Sequence, residues 1–488
     1  MKRQGNDYEV IIWGSGLGGL LAGTLLAKTN RSVLLLKEKR YQSFLAKKGY
    51  WFTPFSNFSG KNLRTSLLHK ISQALDLPLW TDHPEGDGQA EKDEKQKVSF
   101  QVILPKSRID LYQHHSLFQR EFKREFPAEI SRIENLYYEL KNEQNILREL
   151  KVKGGEQGFF PLQEPSFIGR LNPFNLLQKE KIRERLYSFS KEFKQFIQLQ
   201  LLTHGNLVGD QVPFSLAAYL LLKDEWEGFH STVNLETLEE NILELFYKFG
   251  GRVEEIDQVE KVEKSWREGV ALTLGGGEGI FQSKYFIFNL PLHQVFNFLS
   301  HQRRQWVNWG KRIRPRYISV PLFLGIREKG VPVGMKDLLV SILDLERPFE
   351  EGNLVFLALS PKGDETKAPE GRRALTLQSL MPVEKWNQTS MEEYQKGVIN
   401  HLYHLFPFIE NHIEFVDFQW ATEQIPCWSY SHFLYGTTSH FHWRTGVIPT
   451  KWSVNLYFIG KENFPYLGVE GEIYSGLMVA KQILKRYS

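Results

Sequence analysis

Tyr8-Glu9-Val10-Ile11-Ile12-Trp13-Gly14-Ser15-Gly16-Leu17-Gly18-Gly19, running on to Val33-Leu34-Leu35-Leu36-Lys37-Glu38, carries two apolar runs of strand type with three spaced glycines between them. Gly14, Gly16 and Gly19 stand at the spacing G-x-G-x-x-G. A helix is predicted from about Leu17 to Lys28, with Leu20, Leu21, Leu25 and Leu26 on its apolar face. A glycine motif that leaves a strand, opens a helix and reaches a second strand within roughly 30 residues is the setting of a dinucleotide site. Gly14 allows the sharp turn and Gly16 lets backbone approach a pyrophosphate. Gly19 and Gly23 let the helix pack on the sheet, and the free N–H groups at the helix start face the phosphates. One position departs from the pattern. The second strand of such a fold ends in a carboxylate for the adenosine ribose, and by ungapped spacing that position is Lys37, an ammonium that accepts no hydrogen bond, with Glu38 beside it.

The chain has 488 residues, enough for two or three domains, and its 41% hydrophobic and 24% charged residues are those of a globular protein. A net charge of +4 is too small for this length to argue for nucleic-acid binding. Aromatic residues reach 14%, which suits either a large apolar cavity or an aromatic core. The single cysteine, Cys427, excludes an internal disulfide framework and a thiolate cluster, and points to a reducing cytoplasm. No apolar run approaches the roughly 18 residues of a spanning helix.

Downstream, Lys47-Lys48-Gly49-Tyr50-Trp51-Phe52 reads as a basic turn into a short strand, and 65–75 as a helix. Residues 83–97 are almost wholly polar and read as a surface loop. Residues 98–104 read as a strand, 129–150 and 180–202 as helices, and about 100–225 as a mostly helical insertion. From Thr232 an alternating α and β pattern returns: helix 235–249, ended by Gly250-Gly251, then strands near 253–256, 259–262, 271–274 and 285–288. Strands 317–324 and 353–359 and a helix 391–406 follow. The chain closes with strand 455–459 and a helix from Gly471 to Lys485.

Four segments together resemble the FAD-dependent phytoene desaturase and flavin amine oxidase superfamily, on its carotenoid-desaturase side. They are the Gly14 motif; Lys48-Gly49-Tyr50-Trp51-Phe52-Thr53-Pro54-Phe55; the stretch Leu238 to Asn289, with Gly250-Gly251-Arg252-Val253 and Phe288-Asn289-Leu290-Pro291; and Asn455-Leu456-Tyr457-Phe458-Ile459-Gly460, leading through Gly468-Val469-Glu470-Gly471 and Ser475-Gly476 to Ala480. The resemblance implies an α/β fold: a Rossmann-type FAD/NAD(P)-binding domain with an inserted α+β substrate domain. It places the nucleotide domain in residues 1–80, 226–300 and 425–488, and the substrate domain in 81–225 and 301–424.

It further implies FAD, with Gly14, Ser15, Gly16, Leu17, Gly18 and Gly19 at the pyrophosphate, Lys37 and Glu38 at the ribose, and Val259 at the adenine. Gly460, Lys461 and Glu462 fall near the pyrophosphate and ribityl chain, and Gly468, Val469 and Glu470 beside the isoalloxazine. The helix from Gly471 would aim its N-terminus at the flavin N1/C2 region, where reduced flavin is negative. Further departures are Lys461 at a small or acidic position, Tyr466 in place of a glycine, 41–46 in place of a Gly-Gly-Arg segment, and His230-Ser231-Thr232 in place of a glycine pair.

Hydride removal to a flavin needs a protein base only if a proton also leaves. Glu470, Glu472, Tyr474, His440 and His442 are the candidates, each with an ordinary packing role as its alternative. His440-Phe441-His442 has no further ligand at a metal spacing, so no metal is expected. The expectation is an FAD-dependent oxidoreductase removing hydride from a hydrophobic, isoprenoid- or carotenoid-like substrate, with peripheral membrane contact allowed for a lipid substrate. An amine or amino-acid side-chain oxidase of the same fold stays open, as does a non-catalytic partner subunit or binding module. Substrate, electron acceptor and oligomeric state are not legible.

Overall fold

Two large sheets organise the chain. The computed structural model describes residues 7–39, 44–52, 65–76, 98–112, 115–153, 180–205, 207–208, 212–222, 235–257, 259–265, 269–275, 280–298, 315–386, 390–424, 433–436 and 448–487.

The opening motif folds as strand β1 (Asp7–Trp13), helix α1 (Leu17–Lys28) and strand β2 (Val33–Glu38). Val10, Ile11, Ile12 and Trp13 are all buried, as a strand covered on both faces requires. A two-stranded hairpin, β3 (Leu45–Lys47) and β4 (Tyr50–Phe52), and helix α2 (Thr65–Leu75) follow. Next come β5 (Val98–Ile103), β6 (Arg108–Tyr112), α3 (His115–Glu125), α4 (Ile130–Lys153), the single turn α5 (Ile182–Arg185), α6 (Lys191–Gly205), β7 (Leu207–Val208) and α7 (Phe214–Leu221). Helix α8 (Leu235–Lys248) leads to β8 (Arg252–Ile256), β9 (Val259–Ser265), β10 (Gly269–Leu274), β11 (Ile280–Phe288) and α9 (Leu292–Phe298). Then β12 (Pro315–Arg327), β13 (Leu338–Ile342), β14 (Leu354–Leu359), β15 (Arg372–Pro382), α10 (Met391–Leu405), β16 (Ile413–Asp417), α11 (Gln419–Gln424) and β17 (Phe433–Gly436) precede β18 (Leu456–Phe458) and α12 (Val469–Leu484).

The first sheet has the order β8-β2-β1-β11-β10-β9, with β18 paired to β11. Strands β8, β2, β1, β11 and β18 run parallel, and β10 and β9 join antiparallel. This is the Rossmann-type α/β arrangement, and it draws strands from the head, the middle and the tail of the chain. The second sheet has the order β6-β5-β13-β14-β15-β12-β17-β7, with β16 paired to β12.

Two details differ from the sequence reading. The region read as mostly helical also holds β6, which pairs with the expected strand β5 at the edge of the second sheet. The helix read over 180–202 is broken at residues 186–190. There the Ser190 N–H donates to the Glu129 carboxylate at 2.8 Å, and Ser190 Oγ accepts the Phe193 N–H as the cap of α6. The contact at the break comes from a residue 61 positions upstream.

Candidate cofactor site

The site forms where β1 ends, α1 begins and α12 crosses over both. Leaving β1, Gly14 takes φ +113°, a conformation that side chains disfavour, and a Cβ there would lie 2.0 Å from the Asn289 carbonyl oxygen. Helix α1 has Gly16 as its N-cap and no side-chain cap of its own. Its first free N–H groups are met from elsewhere. The Gly18 N–H donates to Glu472 Oε1 at 3.3 Å, and the Gly19 N–H donates to Asn289 Oδ1 at 3.1 Å. The amide nitrogen of Asn289 donates to the Ile459 carbonyl and to Glu472 Oε1, each at 3.1 Å. Asn289 therefore ties the end of β11, the end of β18, the start of α1 and the first turn of α12 into one buried knot. A Cβ on Gly16 would stand 2.1 Å from Glu472 Oε1.

Beyond β18 the chain makes a short 3-10 turn, Lys461–Asn463, with all three residues buried. The Gly460 N–H donates to Asn463 Oδ1, and the Asn463 amide donates to the Ile448 carbonyl, both at 2.8 Å. Glu462 Oε1 accepts the Leu292 N–H at 3.0 Å, at the start of α9, and its other oxygen overhangs Gly460. Burial pushes the Lys461 ammonium below the usual lysine range, while the charges of Glu472 and Glu462 hold it up. Two carboxylates, Glu472 and Glu462, thus act on one buried ammonium. Helix α12 then begins with Val469, Glu470, Gly471 and Glu472 all buried, and the Ser475 hydroxyl donates back to Gly471.

Of the residues singled out from sequence, Gly14, Gly16, Leu17, Gly18, Gly19, Gly460 and Glu472 meet around this corner, with Ser15 half-buried at the turn. Lys37 and Glu38 lie at the end of β2, level with Glu255 and Ile256 of β8, both partly exposed. Val259 opens β9 and is buried in an apolar cluster with Leu34, Leu36 and Ile256. Gly468, Val469 and Glu470 form the start of α12, and Tyr466 and Tyr474 are buried around it. His440, His442, Cys427, Thr53-Pro54-Phe55 and His230-Ser231-Thr232 lie outside the described residues. Sequence reading missed the part played by Asn289. Its signal is a lone amide closing the apolar run Tyr285-Phe286-Ile287-Phe288, directly before Leu290-Pro291.

The family profile described as flavin containing amine oxidoreductase matches residues 227–484, more than half of the chain. Prolycopene isomerase from Arabidopsis thaliana is 22% identical over 99% of this chain and 84% of that protein, and the Daucus carota protein of the same name is 23% identical over 80% and 64%. Among solved structures, putrescine oxidase bound to putrescine aligns with a TM-score of 0.61 at 16% identity, covering 98% of this chain and 99% of that one. Cyclohexylamine oxidase from Brevibacterium oxydans aligns with 0.58 at 15%, covering 99% of both. At such identities the structural likeness speaks for the fold. The chain belongs to the flavin-containing amine oxidoreductase family, and with it to the FAD-dependent oxidoreductases.

The glycine turn at the start of α1 fits the approach of a pyrophosphate such as that of FAD. Gly14 and Gly16 leave no room for side chains, and the N–H groups of Gly18 and Gly19 already hold oxygen acceptors. One of those acceptors, Glu472 Oε1, is an anionic oxygen standing where the motif presents its donors to a phosphate.

Proposed function

We propose that this flavin-dependent oxidoreductase acts on a hydrophobic, isoprenoid-like substrate, withdrawing hydride from a carbon centre. The observation that carries the substrate class is the likeness to prolycopene isomerase, which runs through 99% of the chain, while the hydride chemistry rests on the flavin amine oxidoreductase family match. FAD, when bound, supplies the hydride acceptor, so the protein's work is positioning, desolvation and electrostatics.

The glycine turn, the start of α1 and Asn289 are the groups to hold the phosphates, and the first turn of α12 brings its N–H groups toward the flavin end. The second sheet supplies an apolar floor: Val340, Ile342, Leu354, Phe356 and Leu380 from β13, β14 and β15 belong to the same buried cluster as Tyr466 and Leu467 of the tail. Such a surface excludes water and binds carbon skeletons by area, at roughly 25 cal/mol per Å² buried. Gln378 on β15 lies level with Phe356 and Pro321 and is fully buried, a single amide among apolar neighbours. The same reading assigns residues 1–80, 226–300 and 425–488 to the nucleotide domain, and 81–225 and 301–424 to the substrate domain. The first sheet takes its strands from those three nucleotide-domain segments, which supports the division, except that β17 (Phe433–Gly436) pairs with β12 in the second sheet and so falls on the substrate side of the 425 boundary.

The test is to incubate the FAD-loaded protein with cis-configured and partly saturated carotenoid precursors in detergent micelles, and follow the pigment spectrum and chromatogram. The expected result is a shift of the polyene bands. Peroxide release from simple amines, with no change in any polyene, would replace this substrate with an amine. Among the described residues no helix is long and apolar enough to cross a membrane. Delivery of a lipid substrate therefore calls for surface contact, read by co-sedimentation with liposomes.

A further inference from the structure

We propose that Glu472 sets the affinity for FAD, by placing its own carboxylate where the cofactor's pyrophosphate must go. The inference rests on the flavin reading above and concerns how the site is loaded.

Three observations converge on this residue. Glu472 Oε1 accepts the Gly18 N–H, one of the donors that a strand–glycine–helix motif presents to a phosphate. The same oxygen accepts the Asn289 amide and lies 2.1 Å from the place a Gly16 Cβ would take, so it sits hard against the glycine turn. The residue is 8% exposed, so the carboxylate is committed to the corner and does not lie over it from solvent. A carboxylate on a helix N-terminus is a chemical stand-in for a phosphate oxygen: it satisfies the same orphan donors and the same dipole.

FAD brings negative charge to the same donors. Two anions within about 4 Å in a poorly hydrated corner repel strongly, and the Gly18 N–H cannot serve both. Binding therefore requires Glu472 to leave Gly18 and Asn289. The consequence is a cofactor held weakly and exchanged readily. Replacement of the carboxylate removes the repulsion, and truncation also frees the donors. Glu472→Gln keeps the shape and a neutral acceptor, so it isolates charge. Glu472→Ala also removes the bulk.

The test uses the purified full-length chain and both variants, each checked for a cooperative melt. Flavin that co-purifies is quantified after denaturation. FAD affinity is titrated by fluorescence quenching, ADP affinity by displacement, and riboflavin, which has no phosphate, serves as the contrast. The expected result is FAD and ADP binding at least tenfold tighter in both variants than in wild type, a larger FAD-induced rise in Tm, and unchanged riboflavin affinity. Wild-type protein carrying stoichiometric, non-exchanging FAD, or three equal FAD affinities, would overturn the proposal and leave the flavin reading intact. Weaker FAD binding in both variants would overturn it by making Glu472 a ligand of the cofactor. Absence of FAD and ADP binding in all three proteins would overturn both this proposal and the flavin reading.

Discussion

Asn289 holds its corner through backbone and side chain: its N–H donates to the Trp13 carbonyl at 2.8 Å, its side-chain oxygen takes the Gly19 N–H, and its amide nitrogen serves Ile459 and Glu472. Truncation to alanine leaves a buried N–H and a buried carbonyl without partners, at about 1–3 kcal/mol each. Asn289→Ala should therefore lower Tm by several degrees in a thermal melt. Asn289→Asp should cost more, because it sets a second carboxylate against Glu472 Oε1, and Glu472→Gln in the same chain should recover part of that loss. A strictly additive double mutant would refute the contact. A second residue-scale prediction lies in the other half of the molecule. His401 on α10 is fully buried, with Nδ1 2.7 Å from the Gly352 carbonyl and Nε2 2.9 Å from Ser341 Oγ. The carbonyl can only accept, so Nδ1 carries the proton and Nε2 accepts from the hydroxyl. Burial lowers the imidazole pKa from 6.5 to about 4. The unfolded chain then takes up this proton before the folded one does as pH falls. The contribution is intact above about pH 6.5 and is lost between there and pH 4, at a total of about 3 kcal/mol. His401→Leu should flatten the acid limb of stability against pH, measured by urea titration from pH 7 to pH 4, while lowering stability at pH 7.

At the scale of elements, the contact of α1 with α12 sets how the two ends of the chain meet. Gly18 and Gly476 make it possible. A Cβ on Gly476 would lie 2.2 Å from the Gly18 carbonyl oxygen, and one on Gly18 would lie 2.3 Å from the Glu472 carbonyl oxygen. Both obstacles are backbone, so neither helix can yield by a rotamer change. Gly476→Ala should force the helices apart, cost about 1–3 kcal/mol or more, and lift Glu472 off Gly18. A melt unchanged within a degree would show that the crossing is looser than this. In the second sheet the prediction has the opposite sign. Both amide atoms of Gln378 are buried, with no hydrogen-bond partner among the described residues. Gln378→Met keeps the volume and removes two unsatisfied polar atoms, so it should raise stability by about 1 kcal/mol or more in denaturant unfolding. If the same change slows conversion of a polyene substrate, the amide is retained for function at a cost in stability.

At the scale of the whole molecule, the nucleotide-binding frame was legible because local signals agree there: an apolar strand, glycines at a fixed spacing, a helix period and a second strand. The tail was legible for the same reason, from Leu456-Tyr457-Phe458 to the run opening at Gly468. The parts that stayed hidden are those decided by distant partners. Glu472 reads in sequence as an acid on a helix, and nothing local says that it meets Gly18, 454 residues away. The break in the helix read over 180–202 goes with the contact from Glu129, and β6, unlike the strand read at 98–104, owes its place inside a region of helical pattern to pairing with β5. That dependence on remote contacts gives a final prediction. Helix α12 buries Ile473, Val479 and Ile483 completely, in one cluster with Val10, Ile12 and Leu21, and β18 pairs with β11. At roughly 1.5–3 kcal/mol for each buried aliphatic side chain, those three alone amount to about 5–9 kcal/mol, as much as the net stability of many domains. A chain ending at Asn455 should therefore fail to fold its first sheet, losing the cooperative melt and exposing apolar surface to a reporter dye. Recovery of a single cooperative transition on adding the 456–488 peptide in trans would show that the tail acts through this packing, whereas a truncated chain that melts like the full one would mean that the head and middle strands close the sheet without it.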